Sequence, residues 1–110
     1  MEQISYGDFD QIEVLIGTVI NAEEAQGTHT PALRLWIDFG ERGLKKSSAQ
    51  ITERHTAEEL CGTQVAAVVN FPPKQIGKFM SECLILGAVG KNGTTLLTVS
   101  KPTENGARVT

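Results

Sequence analysis

Aromatic side chains make up only 5% of this 110-residue chain, too few for a protein that grips single strands by stacking base after base. Cysteine is scarcer: Cys61 and Cys83 form no C-x-x-C pair, and without a secretory context they read as two reduced, mostly buried thiols. His29 and His55 have no further ligand at metal spacing, so neither a metal nor a cofactor is expected. The G-x-S-x-G, H-E-x-x-H and H-x-E…C-x-x-C patterns are missing, and with them the hydrolase, metalloprotease and deaminase chemistries they carry. The chain is therefore not expected to be an enzyme. No apolar run approaches the roughly 20 residues needed to cross a bilayer, and the opening Met1-Glu2-Gln3-Ile4-Ser5 lacks the basic and apolar regions of a signal peptide. These absences lead to the expectation of a soluble, cytoplasmic protein without membrane insertion.

What is present fits one globular domain over residues 1–110, with 40% apolar and 21% charged residues. The net charge of −3 hides an asymmetry: residues 1–41 hold eight acids and one base, residues 42–110 nine bases and five acids. Arg42, Lys45, Lys46, Arg54, Lys74 and Lys78 fall within two neighbouring segments, which allows a basic face on an acidic protein. Ordinary solvated surface charge accounts for the same distribution.

The spacing of apolar residues predicts about six strands. Residues 12–22 form the first, apolar on both faces in places: Val14, Ile16 and Ile20 on one side, Leu15 and Val19 on the other. Part of its second face therefore needs cover from another element or a second subunit. A short helical turn over 8–11, capped by Asp8, precedes it, and a loop over 23–31 follows. Residues 32–39 alternate cleanly, Leu33, Leu35, Ile37 and Phe39 facing opposite to Arg34, Trp36 and Asp38. The third strand, 45–52, puts Ala49 and Ile51 inward and Lys46, Ser48 and Gln50 outward. Thr56-Ala57-Glu58-Glu59 is a capping box opening a helix of barely two turns that Gly62 ends. Residues 65–71 return as a buried strand. Residues 81–89 and 94–100 pair through a hairpin at Gly90-Lys91-Asn92-Gly93, where Asn92 and Gly93 both tolerate positive φ. That hairpin also explains the faint phosphate-loop look of 87–92 and the Asn92-Gly93-Thr94 glycosylation pattern. Residues 101–110 are turn-rich and expected to be tied down only by a partner. Strand, strand, strand, helix, strand, strand is the order of an OB-fold, so the expected fold is an all-β Greek-key barrel with one short helix between strands 3 and 4 and extra terminal elements.

Two segments carry candidate binding chemistry. Lys45-Lys46-Ser47-Ser48-Ala49-Gln50-Ile51-Thr52 sets a cation, a hydroxyl and an amide at alternate positions on one strand face, offering phosphate neutralisation and base-edge hydrogen bonds together; a plain polar outer face has the same pattern. In Val68-Val69-Asn70-Phe71-Pro72-Pro73-Lys74-Gln75-Ile76-Gly77, consecutive prolines stop an apolar run and supply a cation at the corner.

Together with Leu60-Cys61-Gly62-Thr63-Gln64-Val65 and the run from Phe79 to Gly87, these segments resemble the free-standing tRNA-binding proteins, export chaperones among them, and the tRNA-binding domain appended to some methionyl- and phenylalanyl-tRNA synthetases. The resemblance covers nearly the whole chain and rests on the order and spacing of four motifs. It implies an OB-fold, a homodimer and tRNA as partner. By position it implies RNA contacts from Lys46, Ser48 and Gln50, with Lys45 beside them, from Asn70 and Lys74 at the corner, and from Ser81 and Glu82. Cys83 departs mildly, standing where those chaperones usually have a branched apolar residue. The chaperone side of the resemblance gives a second reading, in which unfolded or precursor polypeptides are held in an apolar groove; Phe71, Ile76, Phe79 and Met80 are its candidates because methionine and aromatic side chains adapt to varied ligands. Core packing under the corner explains the same four residues.

Overall fold

The strict alternation of the second strand organises the barrel. In the computed structural model, which describes residues 1–27 and 29–110, β2 (Leu33–Asp38) buries Leu33, Leu35 and Ile37 almost completely and leaves Arg34, Trp36 and Asp38 half-buried on its outer face. It pairs antiparallel with β1 (Val14–Glu24) on one side and β3 (Leu44–Ala49) on the other. β1 pairs in turn with β4 (Gln64–Val68), and β4 with β7 (Leu84–Ile85), giving the order β3-β2-β1-β4-β7. The open side is sealed where β3 meets residues 81–83: the Glu82 N–H donates to the Lys46 carbonyl at 2.8 Å, and the buried Ser47 hydroxyl donates to the Cys83 carbonyl at 2.8 Å. The result is the expected all-β OB-fold barrel. Its interior is filled by Leu15, Val19, Leu35, Ile37, Phe39, Val65 and Ala67, among others. Gly17 is required where β1 crosses this core, since a Cβ there would stand 2.6 Å from Ile37 and 2.7 Å from Phe39.

The short helix α2 (Ala57–Leu60) lies between β3 and β4, with the Thr56 and Glu59 capping box formed and Gly62 at φ +89°. Other boundaries move. The N-terminal helix α1 (Tyr6–Asp10) is capped by Ser5, with Asp8 completing the capping box from inside the helix rather than serving as the cap. β1 runs on to Glu24, with a bulge between Val19 and Asn21 that leaves Ile20 exposed instead of aligned with Val14 and Ile16. The loop that follows is therefore shorter than expected; its Thr28 lies outside the described residues. The single strand expected over 81–89 is three pieces. β5 (Lys74–Ile76) and β6 (Phe79–Ser81) form a hairpin around Gly77, at φ +61°; β7 joins the barrel; β8 (Gly87–Gly90) pairs with β9 (Gly93–Leu96). The β8–β9 turn is Lys91-Asn92, and of the two residues that tolerate positive φ only Gly93 adopts it.

The second apolar face of β1 is covered from within the chain. Val14 and Ile16 pack with Ala66 and Val68, and Leu86, Val99, Ala107 and Val109 close over them. The C-terminal segment is hydrogen-bonded along β1: the Ile16 N–H donates to the Ala107 carbonyl, and the Gly106 and Val109 N–H groups donate to Ile16 and Val14. Gln64 fastens it further, donating to the Thr103 carbonyl at 2.7 Å and accepting its N–H at 3.0 Å. Residues 101–110 thus need no partner to hold them, contrary to expectation, because their sparse apolar residues meet a ready-made apolar strip.

Candidate nucleic-acid interface

β3 turns Ser47 into the barrel and leaves Lys46 and Ser48 half-buried on the outside, while Gln50, just past the strand, is exposed. The β2–β3 register sets Trp36 opposite Lys46 and Arg34 opposite Ser48, so the two outer faces form one surface. The β5–β6 hairpin folds against it and places the Phe79 ring 5.9 Å from that of Trp36, edge to face at 85°. The Arg34 guanidinium carbon lies 4.8 Å from the centre of the Phe79 ring and Lys46 Nζ lies 5.1 Å from it. Arg34 and Trp36 join the candidate residues of this face, which their sequence pattern alone marks only as the outer side of β2. Their parity on β2 was the available signal, but only the strand register shows that they share a face with Lys46.

Beside this surface runs a groove of about 460 Å³, lined by Ser48, Gln50, Phe71, Lys74, Ile76 and Leu84 among others. Phe71, Met80 and Leu84 are exposed there or nearby, Ile76 is half-buried, and Phe79 is only 7% exposed. Of the four apolar residues considered for peptide contact, Phe79 is therefore packed under the surface. Lys74 is exposed at the groove, and Lys45 is half-buried on the opposite parity to Lys46.

Three of the polar residues expected at the RNA have their side chains bonded within the protein. Asn70 accepts the Glu13 N–H at 2.9 Å and donates to the Gln11 carbonyl at 2.8 Å. Ser81, buried, accepts the Ser48 N–H at 3.2 Å, and a Glu82 carboxylate oxygen accepts the Lys46 N–H at 3.0 Å. They shape the surface on which Lys46, Ser48, Gln50 and Lys74 stand.

Most cations near this face stand outside ion pairs among the described residues. Arg42 is neutralised by both Glu13 oxygens at 2.7 Å, and that hydrogen-bonded guanidinium holds the Glu13 carboxyl below its ordinary range. Among the described residues, neither Arg34, Lys45, Lys46 nor Lys74 has a carboxylate within ion-pair distance. His55 is committed elsewhere: its Nε2 accepts the Leu96 N–H at 3.1 Å and its Nδ1 lies 3.3 Å from Glu59. The two thiols differ from expectation, since Cys61 is exposed and only Cys83 is buried. Burial pushes the Cys83 thiol up to about 11. No described helix is long and apolar enough to cross a membrane.

An OB-fold barrel carrying an unpaired basic face defines a class of nucleic-acid-binding domain, and comparison with known proteins makes it specific. Residues 14–108 match the family described as "Putative tRNA binding domain". The chaperone CsaA from Bacillus anthracis str. Ames has a crystal structure 45% identical, covering 99% of this chain and 100% of that one with a TM-score of 0.94. The CsaA chaperone protein from Picrophilus torridus is 41% identical, covering 98% and 100% with a TM-score of 0.92. Methionine–tRNA ligase of Methanocella arvoryzae is 38% identical over 106 residues, 96% of this chain but 15% of that enzyme. The chain belongs to the tRNA-binding-domain family.

Proposed function

We propose that the chain is a non-catalytic tRNA-binding protein of the cytoplasm, similar in role to CsaA, that takes RNA on the outer face of β3 and the adjoining groove. The observation that carries this reading is the pair Lys46 and Lys74. Among the described residues neither has a carboxylate within ion-pair distance; Lys74 lines the groove, and Lys46 stands two residues along β3 from Ser48, which lines it too. Phosphates are neutralised by the lysines, while Gln50 and Ser48 meet base edges and Phe71 offers an aromatic surface to an unpaired base. Asn70, Ser81 and Glu82 position this surface. The curated synthetase relatives are far longer than this chain, which spans about 15% of their length, and their aminoacylation chemistry is not carried over.

The protein works as a homodimer in this reading. Ile4, Tyr6, Phe9 and Ile12 lie exposed along α1 and its flanks, an apolar surface that a second copy would bury, pairing two basic faces about one axis.

A second reading, supported by the exposed Phe71, Met80 and Leu84, is that the groove holds unfolded or precursor polypeptides in an export-related role. Paired substitutions separate the two. Lys46→Glu with Lys74→Glu should abolish tRNA binding and spare peptide binding; Leu84→Ser, at a groove residue 50% exposed, should do the reverse without unfolding the barrel. If the double charge reversal left tRNA affinity unchanged at low salt, the RNA reading of this face would be wrong.

A further inference from the structure

Two cations share one aromatic ring on this surface. Arg34 lies 4.8 Å and Lys46 5.1 Å from the centre of Phe79, so one ring holds two like charges, neither of which has a carboxylate partner among the described residues. The contrast with Arg42, fully engaged by Glu13, shows that the chain has not neutralised these two. Arg34 is held unusually. Its Nε is shut off from solvent without a hydrogen-bond partner, so the head group is fixed by the ring and by the β2–β3 register rather than by acceptors. A ring face attracts cations without consuming their N–H donors, which leaves two positive groups oriented and uncommitted.

We propose that Arg34 and Lys46 form a two-cation clamp for a backbone phosphate of RNA, with Phe79 as its platform. This rests on the proposed tRNA-binding function and adds to it a phosphate subsite apart from Lys74 and its groove. Arg34 supplies planar paired donors and Lys46 a compact charge, a combination suited to a phosphate diester. Phe79 is a positioning residue: it touches the two cations, and the phosphate does not touch it.

Trp36, the chain's single tryptophan, stacks edge-on against Phe79 and stands opposite Lys46, so its fluorescence reports on the clamp. Titration of the full chain with inorganic pyrophosphate should give a saturable change. Arg34→Gln should weaken pyrophosphate by roughly tenfold, as expected for losing a charge-assisted hydrogen bond, and should flatten the salt dependence of tRNA binding by about 0.7, one phosphate's share. Arg34→Lys should restore the salt slope but not the full affinity. Phe79→Leu keeps an apolar residue in place and should cost about two- to fivefold, the equivalent of a cation–π contact. It should also shrink the effect of Arg34→Gln, a coupling that simple packing would not produce. A pyrophosphate response that Arg34→Gln leaves unchanged, or none in the wild-type chain, would overturn the clamp. Polyglutamate binding that depends on Arg34, with tRNA affinity indifferent to it, would overturn RNA as the occupant. A wild-type chain that binds pyrophosphate through Arg34 but no tRNA would keep the anion site and overturn the tRNA function.

Discussion

Asn70 reaches across 57 residues to accept the backbone N–H of Glu13 at 2.9 Å. Its amide nitrogen simultaneously holds the carbonyl of Gln11, so one side chain docks the exit of α1 to the end of β4. Asn70→Ala should lower stability by about 1–2 kcal/mol, since two backbone groups lose their partner near the surface. Urea unfolding measures the loss, and faster hydrogen exchange at the Glu13 amide should accompany it. The same substitution should change tRNA affinity much less than Lys74→Ala.

The C-terminal segment is part of the fold. Deleting residues 103–110 removes Ala107 and Val109 from the cover over Val14, Ile16, Ala66 and Val68 and leaves the N–H of Ile16 without its acceptor. With each buried aliphatic side chain contributing about 1.5–3 kcal/mol, the truncated chain should lose several kcal/mol and bind a hydrophobic dye. A truncated chain with an unchanged melting temperature would contradict this.

The thiols should separate by reactivity. Cys61 is exposed and Cys83 buried, so at pH 8 one thiol per chain should react with a thiol reagent in native buffer and two in denaturant. Because burial raises the Cys83 thiol from 9.0 to about 11, the native state keeps a proton that the unfolded chain has released. Its stability contribution is complete below pH 9 and is lost as pH rises through 11. Cys83→Val should remove that alkaline loss.

Arg42 provides a control within the basic region. Its pairing with Glu13 is bidentate and partly exposed, and the lowered Glu13 carboxyl gives a contribution present above pH 4.5 and lost as pH falls through the lowered value. Arg42→Gln should therefore reduce acid stability slightly and leave the salt slope of tRNA binding unchanged, unlike Lys46→Ala.

How far the sequence carried these conclusions depended on the range of the interaction involved. β2 could be read residue by residue because alternation is local, and the Thr56 capping box and Gly62 signalled α2 because both act within one turn. Ser5-Tyr6-Gly7-Asp8 carries an equally local signal for α1, with the cap at Ser5, three residues before the Asp8 expected from the pattern. Positions decided by distant partners were not legible. Ile20 left its expected face because a bulge inserts a residue after Val19. Phe79 reads as surface-active beside a basic corner, and only the fold of the β5–β6 hairpin against Trp36 buries it. Likewise, polar residues such as Ser81 and Glu82 suit RNA by type, but barrel closure brings β3 backbone groups to their side chains.

The salt dependence of tRNA binding tests the central claim most directly. With roughly four phosphates neutralised, log K should fall against log[salt] with a slope of about −3, and Lys46→Ala should flatten it by about 0.7. An affinity insensitive to salt, or a slope that Lys46→Ala leaves untouched, would contradict the assignment of this face to RNA.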